Sequence, residues 1–447
     1  QIAMEDPSES SVNASELARN EFSMVSQNEG EGKDNLIEYD EHGNVKKAPG
    51  QATLMSCIVN LANTILGAGI LGLPHAFASS GWVLGIILLC AFACLSGFGL
   101  HLLATVSVER FGETRDATFY KVASQAFQRG ALVIDVAVAI KCFGVATSYL
   151  IVVGDLLPVA LKSMGLSGLA TNRQLIITVL TVVVVAPLCA LKKLDALRFT
   201  SALSIGMLLF VTIVIVIYAL EPSLNDQIDS DDKGKTTNFV ANRDTLKILT
   251  IFIFGYTCHQ NIFSVCNELK DLTHARVNTV IGTSVGSAWV LYMIIAISGY
   301  ATFGDKITAD ALEDYPDAPL ITTVRVFISL LVVLSFPLQC FPCRYSTEQI
   351  LTNMLGEPSS PHVAQRRWWM ITITILVLSW FISMVVTNLG VVLAVVGATG
   401  STTISFILPG FVYYRLAAEW TVKRVLAFGL FCFGCIVIPS ALTFIFL

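Results

Sequence analysis

Apolar residues run through this chain in long blocks, not in the alternating or one-faced stripes of soluble elements. The blocks lie at 51–80, 82–108, 131–160, 174–191, 199–220, 246–269, 277–303, 320–343, 368–388, 389–413 and 423–446. Each can cross a bilayer, because a spanning helix needs about 20 mostly apolar residues. The stretch 368–413 is too long for one crossing, and Thr387, Asn388 and Gly390 mark a turn within it. The pattern predicts an all-α polytopic membrane protein of eleven spans, numbered here in chain order.

Composition agrees. Hydrophobic residues make up 54% and charged ones 14%, against roughly 25% charged in soluble proteins. The membrane domain is expected over 51–447. Residues 1–50 differ, being rich in Glu, Asp, Ser and Asn with few large apolar side chains. Such a segment cannot bury enough surface to order itself, so a disordered acidic tail is expected. No basic stretch followed by an apolar core opens the chain, which argues against a signal peptide. The first residue is Gln1, and the native N-terminus is expected upstream. Asn13-Ala14-Ser15 fits a glycosylation acceptor, but the orientation below places it in the cytosol. All cysteines fall in apolar spans, so packing explains Cys340-Phe-Pro-Cys343 and Cys432-Phe-Gly-Cys435 better than redox or zinc chemistry. No phosphate-binding loop, metal-ligand cluster or serine–histidine arrangement stands out. An enzyme is therefore not expected, nor a cofactor or a nucleic-acid partner.

Orientation follows from lysine and arginine near the span ends. Lys46 and Lys47 precede span 1, and Arg110, Arg115, Lys121 and Arg129 follow span 2. Lys192, Lys193 and Arg198 follow span 4, and Lys270 and Arg276 follow span 6. Arg344, Arg366 and Arg367 follow span 8, and Arg415, Lys423 and Arg424 follow span 10. The other side has few basic residues outside 221–247, where acidic residues outnumber them. The N-terminus is expected in the cytosol, the loops 221–247 and 305–319 opposite, and the loop 344–367 cytosolic.

Two spans contradict their setting. Asn60 to Pro74 reads Asn-Leu-Ala-Asn-Thr-Ile-Leu-Gly-Ala-Gly-Ile-Leu-Gly-Leu-Pro. An interior glycine costs a helix roughly 1 kcal/mol relative to alanine, and proline more. Broken backbone at membrane depth is tolerated only where it faces protein or a watery cavity. Secondary transporters place binding sites at such breaks. The competing reading is close helix packing, since Ala68 and Gly72 form a small-xxx-small pair. Span 6 carries Phe254-Gly255-Tyr256-Thr257-Cys258-His259-Gln260-Asn261 near its middle. Spans 1 and 6 open two halves of five, 51–220 and 246–413, and an odd number inverts the second half. Span 11, 423–446, stands outside the repeat. Amides at a half-helix N-terminus attract a carboxylate, and carbonyls at a C-terminus attract an ammonium group or a cation. Together they suit a zwitterion.

These segments carry a resemblance. Asn60–Pro74, Thr257–Asn261 with Asn267-Glu268, Ser148-Tyr149-Leu150 with Gly154-Asp155, and Gly397–Thr402 with Pro409-Gly410 resemble the amino acid/auxin permease family. That family lies within the amino acid–polyamine–organocation superfamily. The motifs follow the same order over roughly 51–446. The chain looks closest to fungal vacuolar amino-acid transporters and to sodium-coupled neutral amino-acid transporters. Leu191–Asp195 and Pro337–Arg344 point toward the fungal branch. The resemblance implies a LeuT-like fold of five-plus-five inverted repeats with an eleventh helix. It implies alternating access with an amino-acid substrate, in a monomer, in the vacuolar membrane or else the plasma membrane.

The substrate site is then expected at Asn63, Thr64, Gly67, Ala68, Gly69, Gly255, Tyr256, Cys258 and His259. The amides of Gly67, Ala68 and Gly69 would meet the substrate carboxylate. By resemblance, Asn63 and Ser335 match ion-coupling positions of the sodium-coupled relatives, although serine stands where those carry threonine. Ser335 otherwise only bonds its own helix. Lys141 lies mid-span 3 between Asp135 and Asp155. A charge at that depth is a functional hypothesis by default, and burial helps a lysine exchange its proton. The plainer reading is a structural lysine bonded to carbonyls of a neighbouring helix. His259 either relays protons or hydrogen-bonds in the break. His75 and His101 are expected at the interface, and Arg325 is expected to snorkel. The expected function is proton-coupled amino-acid export from vacuole to cytosol. The alternatives are a sodium-coupled symporter and an amino-acid sensor without turnover. A channel would show a continuous polar stripe, whereas the polar residues here gather at two breaks.

Overall fold

Residues 38–39, 45–46, 50–127, 130–191, 197–241 and 243–446 are described in the computed structural model of the chain. Contacts divide the chain into two units, Gln1–Ala48 and Pro49–Leu447. The first contains an antiparallel pair in which Glu38 faces Lys46 and Tyr39 faces Val45. The rest of the expected disordered tail lies outside the described residues.

The second unit is helical. Span 1 is Leu54–Ile65 followed by Gly69–Ala78, bent by 48° at the break. Gly81–Phe111, Ala131–Ser163, Arg173–Cys189 and Arg198–Leu220 complete the first half. The second half comprises Ile248–Glu268, His274–Phe303, Pro319–Leu355, Pro361–Val385 and Leu389–Leu416. Val422–Phe446 is span 11. Hydroxyl and amide side chains start several of these helices by accepting a bond from the third residue on. Thr53 accepts from Ser56, Asn172 from Leu175, Thr273 from Arg276, Ser360 from Val363 and Asn388 from Val391. The Asn388 cap marks the divide between spans 9 and 10 that Thr387, Asn388 and Gly390 predict.

Two expectations are corrected. The basic residues after position 343 do not end span 8, which continues to Leu355, so the loop 344–367 shrinks to 356–360. Arg344 stays inside because Nη1 donates to the Cys189 carbonyl at 3.0 Å and to Thr372 Oγ1 at 3.1 Å. Its guanidinium also lies over the Phe341 and Trp368 rings. Arg325 does not snorkel. It is buried, donating to Asp317 at 2.6 Å and to the carbonyls of Leu312 and Tyr315.

Equivalent spans of the two halves pack on one another, span 3 on span 8 and span 2 on span 7. The span 3–span 8 contact is the most extensive between any two helices. Span 1 also packs on span 5 and span 6 on span 10, which is the same relation repeated. The two broken spans sit inside this frame. Of the apolar window of span 6, 89% of residues are buried, against 28% for span 11. Span 11 rests mainly on span 10 and turns its remaining apolar surface outward, as a lipid-facing helix does.

Candidate functional site

Helix ends, not catalytic side chains, build the site. The first half of span 1 stops at Ile65, Leu66 and Gly67 leave the helix, and a 3₁₀ turn begins at Ala68. Span 6 stops at Gly255, and a 3₁₀ turn resumes over His259–Asn261. Both breaks fall where the glycines and polar runs placed them. They touch: a Cβ added to Gly69 would stand 3.0 Å from the Phe254 ring and 3.1 Å from the Gly255 Cα. Glycine at position 69 is thus a condition of their closeness. A Cβ on Gly67 would overlap the Tyr149 hydroxyl of span 3.

Each break exposes backbone groups that need partners. The Gly67 amide donates to the Ile65 carbonyl at 2.8 Å. Ala68 and Gly69 open the next helical turn, where the first N–H groups have no helical acceptor. On the carbonyl side, the Tyr292 hydroxyl of span 7 lies 2.5 Å from Ile65 O and 2.9 Å from Gly255 O. Ser96 of span 2 donates to the Tyr256 carbonyl at 2.8 Å. Asn261 donates to Thr64 Oγ1 at 2.9 Å and reaches the Leu338 carbonyl of span 8 at 3.4 Å. The breaks therefore avoid lipid by binding side chains from spans 2, 7 and 8.

The expected residues separate into groups. Gly69 and Gly255 meet at the junction of the breaks, while Gly67 faces Tyr149 of span 3. Thr64 accepts from Asn261 and donates to Asn60 O at 2.8 Å. Asn63 and Ser335 come together, Ser335 Oγ donating to Asn63 Oδ1 at 3.3 Å, while Asn63 Nδ2 has no partner among the described residues. Tyr256 is buried with its ring edge-on to Tyr292 at 5.3 Å. Cys258 is buried and its carbonyl accepts from the Asn261 amide at 3.0 Å. His259 turns between spans 2 and 10, with Nδ1 3.1 Å from Ser405 Oγ.

Lys141 is 1% exposed. Its Nζ lies 3.4 Å from the Thr257 carbonyl in the span 6 break and 3.4 Å from Gln339 Oε1. Gly400 allows this approach, because a Cβ there would overlap the lysine. Neither flanking acid reaches Lys141: Asp155 pairs with Arg173 at 3.1 Å, and Asp135 bonds Ser346. Gln339 also accepts from Gln260 at 3.1 Å and stands 3.5 Å from the Tyr149 hydroxyl.

Sequence reasoning missed Tyr292, Ser96, Ser405 and Gln339 as partners of the breaks. Each is one polar group in a long apolar span. An all-round apolar helix gives no periodic signal for which face turns inward.

Comparison with known proteins places this geometry. The family profile described as transmembrane amino acid transporter protein matches residues 50–447. Vacuolar amino acid transporter 5 of Schizosaccharomyces pombe is 36% identical, covering 87% of this chain and 93% of that protein. Vacuolar amino acid transporter 6 of Saccharomyces cerevisiae is 33% identical, covering 88% and 98%. Sodium-coupled neutral amino acid symporter 2 of Danio rerio is 26% identical, covering 86% and 79%. Among solved structures, the nucleobase–cation symport transporter Mhp1, closed on bromovinylhydantoin, aligns with a TM-score of 0.60 at 15% identity, covering 90% of this chain and 91% of its own. MhsT in complex with L-phenylalanine aligns with a TM-score of 0.51 at 11% identity, covering 88% and 100%. At such identity these two likenesses establish the LeuT-like fold alone.

Proposed function

The chain belongs to the transmembrane amino acid transporter family, and from that premise we propose that it carries amino acids from vacuole to cytosol together with protons. The observation that carries this reading is the meeting of the two broken spans. Span 1 offers the Ala68 and Gly69 amides at the start of a turn, and the Ile65 and Gly255 carbonyls come together on the Tyr292 hydroxyl. Amides favour a carboxylate and carbonyls an ammonium group, so the junction suits an α-amino acid whatever its side chain. Turnover is by alternating access, with spans 1 and 6 rocking against spans 3 and 8.

Proton coupling rests on Lys141. Among the described residues its ammonium bonds two neutral acceptors, Thr257 O and Gln339 Oε1. It can therefore give up its proton without stranding a paired carboxylate. It also touches the span 6 break directly, so a change in its charge alters the backbone that would hold substrate. A sodium reading has one specific support, the approach of Ser335 to Asn63. Those two oxygens bond each other, so sodium would have to replace that bond and find several further oxygen ligands. The vacuolar setting follows the fungal relatives, whose printed names are vacuolar. The lumen of that organelle supplies protons rather than sodium.

The test is flux of radiolabelled amino acids in liposomes holding purified protein, with an imposed pH gradient or an imposed sodium gradient. Uptake driven by pH in sodium-free buffer is expected. Uptake that follows sodium and ignores pH would return the role to Asn63 and Ser335. Binding without flux would make the protein a sensor.

A further inference from the structure

Two carbonyls at the heart of the site share one proton. Ile65 O ends the first half of span 1, and Gly255 O ends the first half of span 6. Both carry the partial negative charge of a helix C-terminus. The Tyr292 hydroxyl lies between them, 2.5 Å from one and 2.9 Å from the other. A phenol has one O–H to donate. Ile65 O also accepts from the Gly67 amide at 2.8 Å, so when the phenol proton goes to Ile65 it is the Gly255 carbonyl that faces a phenol lone pair at hydrogen-bonding distance. An ammonium group has three donors and a positive charge, so it satisfies both carbonyls at once. Sodium satisfies both in a different way, by coordination.

We infer that Tyr292 is the internal occupant of a cation subsite, and that a cationic ligand displaces its hydroxyl from the Ile65 and Gly255 carbonyls during the cycle. This rests on the transport reading above and adds a residue and a step to it. Tyr292 comes from span 7, outside both broken helices, and it is fully buried. Its ring lies beside Gly255, where a Cβ would be in ordinary contact at 3.6 Å. The ring also packs edge-on to Tyr256, so a shift of the hydroxyl is felt along the span 6 break. With ligand bound, the cation joins the two breaks. Without it, the tyrosine does so, and the unloaded carrier keeps its half-helices together as it returns.

The loaded and unloaded steps can be separated. Net uptake requires return of the unloaded carrier, whereas exchange of internal for external amino acid does not. Tyr292→Phe removes one oxygen and keeps the ring. In liposomes given a mixture of radiolabelled amino acids, the ratio of net uptake to exchange is expected to fall about tenfold or more relative to wild type. The concentration giving half-maximal binding, measured on the same protein preparation, is expected to fall, because the ligand no longer competes with the hydroxyl. Replacing sodium by choline identifies the cation: a gain that persists belongs to the substrate amine, and one that vanishes belongs to sodium. Parallel loss of exchange and net uptake, or no change in either, would overturn the inference. If the phenylalanine variant is not recovered folded, Tyr292→Met removes the oxygen at similar volume. Wild-type liposomes without flux would refute transport, and the binding comparison would still decide the role of Tyr292.

Discussion

The loop after span 7 buries an acid, and its closure should therefore depend on pH. His75 Nδ1 lies 2.8 Å from the Ile307 carbonyl, and the Ala311 amide reaches Leu71 O at 3.5 Å. The loop thus lies on the second half of span 1. Asp310 is 5% exposed, its Oδ1 accepts from the Leu312 amide at 3.3 Å, and its Oδ2 has no partner among the described residues. Burial raises its pKa from 3.8 to about 8, and the nearby Glu313, Asp155 and Asp314 add to the rise. Burial likewise raises Glu313 and Asp314. The cations nearby are engaged elsewhere, Arg173 on Asp155 and Arg325 on Asp317, although Arg325 and His75 oppose part of the rise at Glu313 and Asp314.

An acid whose pKa is higher in the closed loop than in an open one takes up a proton on closing. The stabilisation is fully present below 3.8 and is lost as pH rises through about 8. One proton is worth about 1.4 kcal/mol per pH unit in that window, or about tenfold in the opening equilibrium. Between about pH 5.5 and 7.5 the ceiling is therefore roughly 100-fold. Hydrogen exchange of amides 307–318 in detergent or nanodiscs, corrected for intrinsic exchange rates, measures it. Protection should be higher at the acidic pH, and Asp310→Asn should hold it high at both. Wild-type protection that ignores pH, or an asparagine variant with the wild-type dependence, would refute the reasoning. If this loop faces the vacuolar lumen, as the charge pattern predicts, an acidic lumen favours its closure.

Further outcomes are expected elsewhere. Gly67→Val should abolish amino-acid uptake while the protein still inserts, because its side chain would meet the Tyr149 hydroxyl; normal uptake would show that the break tolerates a Cβ. Lys141→Met should remove pH-driven flux in liposomes while amino-acid exchange survives; pH-driven flux in the variant would exclude the lysine from coupling. Single cysteines introduced in 112–118 and 356–360 should label from the cytosol, and those in 221–241 and 307–318 from the opposite side; labelling of both sets from one side would overturn the orientation.

Most of the fold was legible because lipid imposes one strong rule. Backbone groups must be satisfied within the segment, so apolar length locates helices, and glycine with polar runs locates their failures. The breaks at Gly67 and Gly255 were visible for that reason. What lies around them was not. Lys141 was conspicuous as a charge, and its spacing along span 3 rules out a direct contact with Asp155, but nothing in the chain says that it reaches Thr257 O. Arg344 was counted as a loop residue, because sequence cannot show that two ring faces and a helix-end carbonyl await it. Tyr292 gave no signal, since tyrosine in an apolar span is as common at interfaces as in cores.

The polar bonds of the site also bear on where the proposed rocking motion divides the molecule. Bonds among spans 1, 2, 6 and 7 are short. Ser96 to Tyr256 O is 2.8 Å, Asn261 to Thr64 is 2.9 Å, and Tyr292 reaches its two carbonyls at 2.5 and 2.9 Å. Ser284 of span 7 reaches Ile58 O of span 1 at 3.1 Å, and His101 of span 2 meets Asn278 of span 7 at 2.8 Å. Bonds from this set to spans 3 and 8 are longer, apart from that between Gln260 and Gln339. Ser335 to Asn63 is 3.3 Å, Lys141 to Thr257 O is 3.4 Å, Asn261 to Leu338 O is 3.4 Å, and Gln260 to Gln339 is 3.1 Å. Hydrogen bonds between nitrogen and oxygen are strongest near 2.9 Å and fade beyond about 3.2 Å. Breaking a neutral bond of the second set costs about 1 kcal/mol net, and Lys141 keeps Gln339 when it leaves Thr257 O. Separating spans 1 and 6 from Tyr292 and Ser96 would strand the buried Gly255 and Tyr256 carbonyls, which is dearer. The low-cost division therefore runs between the bundle of spans 1, 2, 6 and 7 and the span 3–span 8 face, with Lys141 and Gln339 on that boundary. A proton or substrate acting there works on the weakest polar contacts of the site.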